Sequence, residues 1–131
     1  MIECLILGDS IGYGLQSFRR ECAAYVQSGI NSHVWNRDYL QHDLTAKTAI
    51  ISLGSNDTSA IKTIEELQKL RAKVTAEKVF WIVPAIKPNV QKIVKLIAEE
   101  HNDVILEING LSPDKVHPNI IGYKDLALRA K

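Results

Sequence analysis

No apolar run in the 131-residue sequence approaches the roughly 20 residues that cross a bilayer. The opening Met1-Ile2-Glu3-Cys4-Leu5-Ile6-Leu7 has no basic leader, and its apolar run falls short of the ~7–15 residues of a signal-peptide core. The sequence therefore predicts a cytoplasmic protein, with export by another route left open. Excess charge of either sign is also missing. Sixteen Lys and Arg face fifteen Asp and Glu, for a net charge of +1. That is too little to draw phosphate backbones or anionic lipid over long range, so nucleic acid is not expected as a partner. Cysteine is scarce, with two residues and no CxxC spacing for a metal or redox site. Cys4 lies inside an apolar run and reads as a small buried hydrophobe rather than half of a bridge to Cys22. No Gly/Ser linker, repeat or low-complexity tract divides the chain, and its length suits one domain, 1–131.

With 46% hydrophobic and 24% charged residues, the composition is that of a folded, water-soluble protein. Short β-rich runs alternate with helical patterns from end to end, which argues for a parallel sheet covered on both faces. The expected strands are Ile2 to Leu7, Ala23 to Gln27, Thr48 to Leu53, Lys78 to Val83 and Asp103 to Ile108. Ile64, Leu67, Leu70 and Val74 recur at helical spacing, and Thr63 with Glu66 has the form of a capping box. Pro88-Asn89 opens another helix marked by Val90, Ile93, Val94 and Ile97. Ile120, Ile121 and Leu126 to Ala130 mark a closing one. Shorter helices are expected near Gln16 to Arg20 and Val34 to Leu40.

In sheets of this kind ligands bind at the carboxyl ends of the strands, and there the reactive side chains collect. The first strand runs into Gly8-Asp9-Ser10-Ile11-Gly12-Tyr13-Gly14. A serine at that sharp exit sits at a helix start with its hydroxyl exposed and its N–H unpaired, which suits a nucleophile. The plainer reading is that Asp9 and Ser10 cap a helix in an ordinary turn. The third strand ends in Gly54-Ser55-Asn56-Asp57, where the Asn56 amide can donate to an oxyanion or simply close a turn. After the last strand, Asp114 stands three residues before His117. In a turn its carboxylate can fold onto the ring Nδ1 and leave Nε2 free as a base. His33, His42 and His101 have no such pairing and read as solvated or capping residues. Each motif is weak by itself. Together they bring a nucleophile, an oxyanion donor, a base and its orienter to one rim.

These blocks resemble those of the SGNH or GDSL hydrolases: Gly8-Asp9-Ser10 with Gly14, then Gly54-Ser55-Asn56-Asp57, then Asp114 to His117, and finally Gly122-Tyr123. The resemblance spans essentially the whole chain. It implies a flavodoxin-like three-layer α/β/α sandwich with a five-stranded parallel sheet. It also implies Ser10 as nucleophile, His117 as general base and Asp114 as its partner. The implied oxyanion hole comprises the Ser10 N–H, the Asn56 side chain and a glycine N–H, for which Gly29 is the best match. Where the family commonly has a second glycine, this chain has Ser32; Ile11 replaces the usual leucine, and Asp9 reads as a brace for the turn.

The expected activity is hydrolysis of small acyl esters, carbohydrate O-acetyl groups among them, through an acyl-serine intermediate, with no metal or cofactor. A small-molecule or carbohydrate ester is the expected partner. Two rivals are a catalytically idle sugar- or acyl-binding module of the same fold and a flavodoxin-like nucleotide module, the latter lacking a GxGxxG fingerprint. Trp35, Tyr13 and Val83-Pro84-Ala85-Ile86 either line a pocket or belong to the core. Short connections after the strands predict a shallow site.

Overall fold

The computed structural model describes residues 2–131. Five strands, β1 (Cys4–Gly8), β2 (Ala23–Val26), β3 (Thr45–Ser52), β4 (Thr75–Ile82) and β5 (Val104–Leu106), form one parallel sheet in the order β2-β1-β3-β4-β5. This is the flavodoxin-like order, and the strands reverse direction of progression at β1 and β3. Helices α1 (Ser10–Gln16) and α5 (Ile120–Arg129) cover one face. The other face carries α2 (Ser32–Tyr39), α3 (Thr63–Lys73) and α4 (Pro88–Glu100). The result is the expected three-layer α/β/α sandwich, with one apolar cluster on each side of the sheet. Leu5, Leu7, Ile51, Trp81 and the wholly buried Trp35 belong to one, and Ile6, Ile50, Phe80, Leu15 and Leu126 to the other. Alternate residues of a strand point to opposite faces, so a strand apolar throughout supplies both cores.

Several boundaries differ from the expected ones for identifiable reasons. β3 and β4 start three residues early because Thr45 and Ala46 pair with Thr75 and Ala76. This outer stretch carries polar, exposed Lys47 and Glu77 and so lacks an apolar signal. β5 shrinks to three residues; as an edge strand it has a ladder partner on one side alone. The first helix starts at Ser10, as the turn after β1 suggests, and ends at Gln16, where a helix to Arg20 was expected. Its glycines lower helix propensity and hide it, although each leaves room for a neighbour: a Cβ at Gly14 would collide with the Tyr123 ring. Thr63 and Glu66 form no capping box. Thr63 is already the first helical residue and Lys62 is the N-cap, without a side-chain bond, while the Thr63 hydroxyl donates to the buried Asp57 carboxylate at 2.8 Å. Glu66 in turn accepts from Asn36 and pairs with His33. Ile120 and Ile121 open α5 but are exposed; its buried stripe is Gly122, Leu126 and Ala127.

The expectation for Cys4 was wrong. It is disulfide-bonded to Cys22. Leu5 is in register with Ala23, so Cys4 and Cys22 lie opposite each other, with Cα atoms 4.5 Å apart, inside the range a disulfide can bridge. Beside it, the buried Arg19 guanidinium donates to the carbonyls of Ala127 (2.9 Å) and Ala130 (2.6 Å), capping the last turn of α5. Closing a loop of sequence separation 18 should stabilise the fold by about 3 kcal/mol in the chain-entropy account. Reduction, or Cys22→Ala, is therefore expected to lower Tm by roughly 6–12 °C. Scanning calorimetry with and without a phosphine reductant checks this, and an unchanged Tm would contradict it.

Candidate active site

The site begins at the end of β1. A Cβ on Gly8 would run into the Ser52 carbonyl of β3, so glycine lets the two strands stay close as the chain turns out of the sheet. Asp9 N–H donates to that same carbonyl at 3.0 Å. The Asp9 carboxylate, wholly buried, caps α1 by accepting from the Ile11 N–H at 3.0 Å through Oδ1. The Ser52 hydroxyl donates to the same oxygen at 3.3 Å, while Oδ2 has no partner among the described residues. Asp9 is thus the brace that the sequence suggested. Burial, only partly offset by these donors, pushes its pKa up from 3.8 to about 6.

That shift ties stability to pH. Between the unfolded value of 3.8 and the folded value of about 6, the folded state holds more protons than the unfolded one, so stability falls as pH rises through this window. The total change is about 3 kcal/mol, from 1.36 kcal/mol per unit. Asp9→Asn keeps the oxygen that caps Ile11 and removes the titration. Its stability relative to the native chain should therefore rise by up to about 3 kcal/mol from pH 4 to pH 7.5. Urea unfolding at both pH values measures this, and a difference independent of pH would contradict it.

Ser10 follows as the first residue of α1, where its N–H has no intrahelical acceptor. Its Oγ lies 2.7 Å from Nε2 of His117. The histidine comes from the loop after β5, which folds back on itself. Leu111 bridges to Pro118, Ser112 N–H donates to the His117 carbonyl at 2.8 Å, and Ser112 Oγ donates to the Pro118 carbonyl at 3.1 Å. Within this turn Asp114 Oδ1 accepts from the N–H groups of Val116 (2.9 Å) and His117 (3.0 Å). Its Oδ2 lies 2.7 Å from His117 Nδ1. The two backbone donors, then the ring, hold the Asp114 pKa down at about 2, so this carboxylate is ionised at any ordinary pH. It can only accept, which puts the ring proton on Nδ1. Nε2 of the neutral ring is then an acceptor for the Ser10 hydroxyl. All three side chains are reachable from solvent, Ser10 and His117 being half-buried and Asp114 exposed.

Asn56 sits in the turn that leaves β3. Its Nδ2 donates to the Ile30 carbonyl at 3.0 Å, which engages one amide proton and leaves the other free. Gly29 occupies the neighbouring turn, in the left-handed region at φ 78° and exposed. Its N–H makes no hydrogen bond among the described residues, and neither does that of Asn31. The structure thus brings Ser10, His117 and Asp114 into direct contact. It sets Asn56 against the Ile30 turn, with no hydrogen bond from Asn56 or Gly29 to the other three. Ser32, which stands where the family commonly has a glycine, is buried, and its N–H is taken by Asp57. Sequence reasoning gave Asp57 no role, yet its carboxylate ties Ser32 and Thr63 to the Asn56 turn. Its position directly after the amide was the available signal.

Trp35 belongs wholly to the core, and Tyr13 is exposed on α1. A groove of about 1000 Å³ opens beside Asp57, lined by Ile61, Lys62, Ile64, Lys87 and Ile93 and not by Ser10 or His117. Among the described residues no cluster of His, Cys, Asp and Glu could hold a metal ion, and no helix is long and apolar enough to cross a membrane.

No protein-family model and no curated protein matches the sequence. Solved structures do. A GDSL-like lipase from Bacteroides thetaiotaomicron superposes with a TM-score of 0.69 at 16% identity, over 97% of this chain and 84% of the other. A candidate acylhydrolase from Bacteroides fragilis gives 0.68 at 19% identity, over 97% and 83%. The C-terminal catalytic domain of peptidoglycan O-acetyltransferase A from Streptococcus pneumoniae, carrying a methylsulfonyl adduct, gives 0.59 at 15% identity, over 95% and 86%. At such identities the likeness is one of fold, and it extends over nearly the whole chain.

Proposed function

We propose that the protein is a metal-independent ester hydrolase of the SGNH type that works through an acyl-serine intermediate. The observation that carries this reading is the unbroken chain from Ser10 Oγ to His117 Nε2 (2.7 Å) and from His117 Nδ1 to Asp114 Oδ2 (2.7 Å). A hydroxyl hydrogen-bonded to an imidazole that a carboxylate orients is the arrangement that activates a serine. The fold shared with a GDSL-like lipase and an O-acetyltransferase domain supports the same reading.

In the proposed reaction His117 takes the Ser10 proton as Oγ attacks the ester carbonyl. The Asp114 carboxylate stabilises the imidazolium that forms, and the carbonyl oxygen becomes an oxyanion. The Ser10 N–H, the free Asn56 N–H and the Gly29 N–H are the proposed donors to it. The tetrahedral intermediate collapses with transfer of the proton from His117 to the leaving alcohol. Water, deprotonated by His117, then attacks the acyl-serine, and the acid departs with Ser10 Oγ reprotonated.

A hydrolysis panel of aryl esters, acetylated sugars and acyl thioesters, run with a Ser10→Ala control, tests the class. A fluorophosphonate that labels Ser10 separates an enzyme from an idle binding module. Substrates with small acyl groups are the proposed class, because the triad lies open at the rim. An added methylene left in water forgoes the ~0.8 kcal/mol that burial would contribute. Across p-nitrophenyl esters from acetate to dodecanoate, kcat/KM should peak at about two to four acyl carbons; a steady rise to dodecanoate would instead assign the acyl chain to the groove beside Asp57. As to setting, the Cys4–Cys22 bridge favours an oxidising compartment over the cytoplasm that the sequence predicts.

A further inference from the structure

We propose that Asp57 and Lys87 are positioning residues for the oxyanion donor Asn56, an inference that rests on the hydrolase reading above. An oxyanion donor is effective when it is aimed before charge develops, and Asn56 is a half-buried residue on a loop that needs something to aim it. Of the hydrogen bonds that join its turn to the Ile30 turn, two set the geometry. Asn56 Nδ2 donates to the Ile30 carbonyl at 3.0 Å, and Ser32 N–H donates to Asp57 Oδ1 at 2.8 Å. The pair makes a two-point clamp in which residues 30 and 32 face residues 56 and 57, so the plane of the Asn56 amide is set by how Asp57 holds Ser32. Asp57 is itself fixed. Its buried Oδ2 accepts the hydroxyls of Ser32 (2.6 Å) and Thr63 (2.8 Å), which ties the starts of α2 and α3 to the turn.

Lys87 closes the arrangement from the β4 side. Its Nζ donates to the Asp57 main-chain carbonyl at 2.6 Å, on the peptide between Asp57 and Thr58, while the Asp57 N–H, on the peptide directly after Asn56, is held by the Gly54 carbonyl at 3.0 Å. Lys87 reaches this position from a left-handed backbone, φ 64°, a conformation that an L-residue with a side chain adopts at a cost. The ammonium thereby anchors the turn one peptide beyond the donor, and its loss frees the turn to shift. A displacement of about 1 Å at a reacting centre can cost up to ~100-fold in rate.

Lys87→Met keeps the aliphatic stem and removes the anchor; Lys87→Arg keeps a cationic donor. With p-nitrophenyl acetate, Lys87→Met should lower kcat about ten- to a hundredfold with KM changed by less than about twofold, and Lys87→Arg should recover most of the loss. Ser32→Ala, at a fully buried position that cannot touch substrate, removes one bond to the Asp57 carboxylate and should show the same split in smaller measure. It carries the test if Lys87→Met does not fold. Folded variants with native kcat would overturn the proposal, and so would a rise in KM alone, which would place Lys87 against substrate in the groove. Native turnover that survives Ser10→Ala would instead refute the hydrolase reading beneath it.

Discussion

Ser10→Ala should reduce kcat by about four to six orders of magnitude and leave the fold in place. Among the described residues Ser10 Oγ has one partner, His117 Nε2, at a half-buried rim, so its removal should cost no more than about 1 kcal/mol of stability. On the proposed mechanism His117→Ala should cost nearly as much activity, because the hydroxyl then has no base and the leaving alcohol no acid. The double variant should be little worse than either single one, since each loss disables the same step. Steady-state kinetics on a short-chain aryl ester, with Tm measured on each variant, reads all three. Multiplicative losses in the double variant would show that the two residues act independently, against the shared mechanism.

Why the contact among Ser10, His117 and Asp114 is legible in the sequence follows from how its parts are made. Asp114 and His117 meet inside one short turn whose bonds, to the N–H groups of Val116 and His117, are local in sequence. Ser10 stands directly at the end of a strand. Spacing along the chain reports both facts. The Asn56 amide is different, since its acceptor is Ile30 in a separate βα connection. That contact exists only because β1 lies between β2 and β3, bringing the two connections to one edge of the sheet. The clamp through Asp57, Ser32, Thr63 and Lys87 joins the beginnings of three helices, and no local pattern encodes it. The expected capping box is missing for a related reason: α3 starts one residue early, with Lys62 as its N-cap, and Thr63 serves Asp57 instead.

The same distinction separates the parts of the fold that the sequence made legible from those it did not. Alternation of apolar runs with helical periodicity reveals a covered parallel sheet, since burial on both faces requires it. The disulfide depends on register. Cys4 and Cys22 become partners only once Leu5 is paired with Ala23, and nothing in a separation of 18 residues announces that pairing. The first helix was obscured by Gly12 and Gly14, whose reason is tertiary: Gly12 packs on Val26 and Ile6, and Gly14 leaves space for Tyr123. The Gly122-Tyr123 pair has its complement there. Gly122 itself passes so close to the Gly110 carbonyl that a Cβ would not fit, which seats α5 against the loop that carries His117.

Asn56→Ala should lower kcat by roughly a hundred- to a thousandfold with a much smaller change in KM. The uncharged ester carbonyl draws little from the amide, whereas the oxyanion formed on attack draws a full hydrogen bond, so the lost interaction belongs to the transition state. One consequence is structural and must be measured separately. The Asn56 amide also satisfies the Ile30 carbonyl, and leaving a partly buried acceptor without a partner costs about 1–3 kcal/mol. Kinetics should therefore be taken well below the Tm of the variant, where a loss of that size leaves the protein folded. If Asn56 served only to hold the Ile30 turn, activity would fall in proportion to the unfolded fraction and return on cooling. If it donates to the oxyanion, the deficit in kcat persists at every temperature at which the variant is folded. An effect confined to KM would instead assign Asn56 to binding the ground-state ester and remove it from the oxyanion hole.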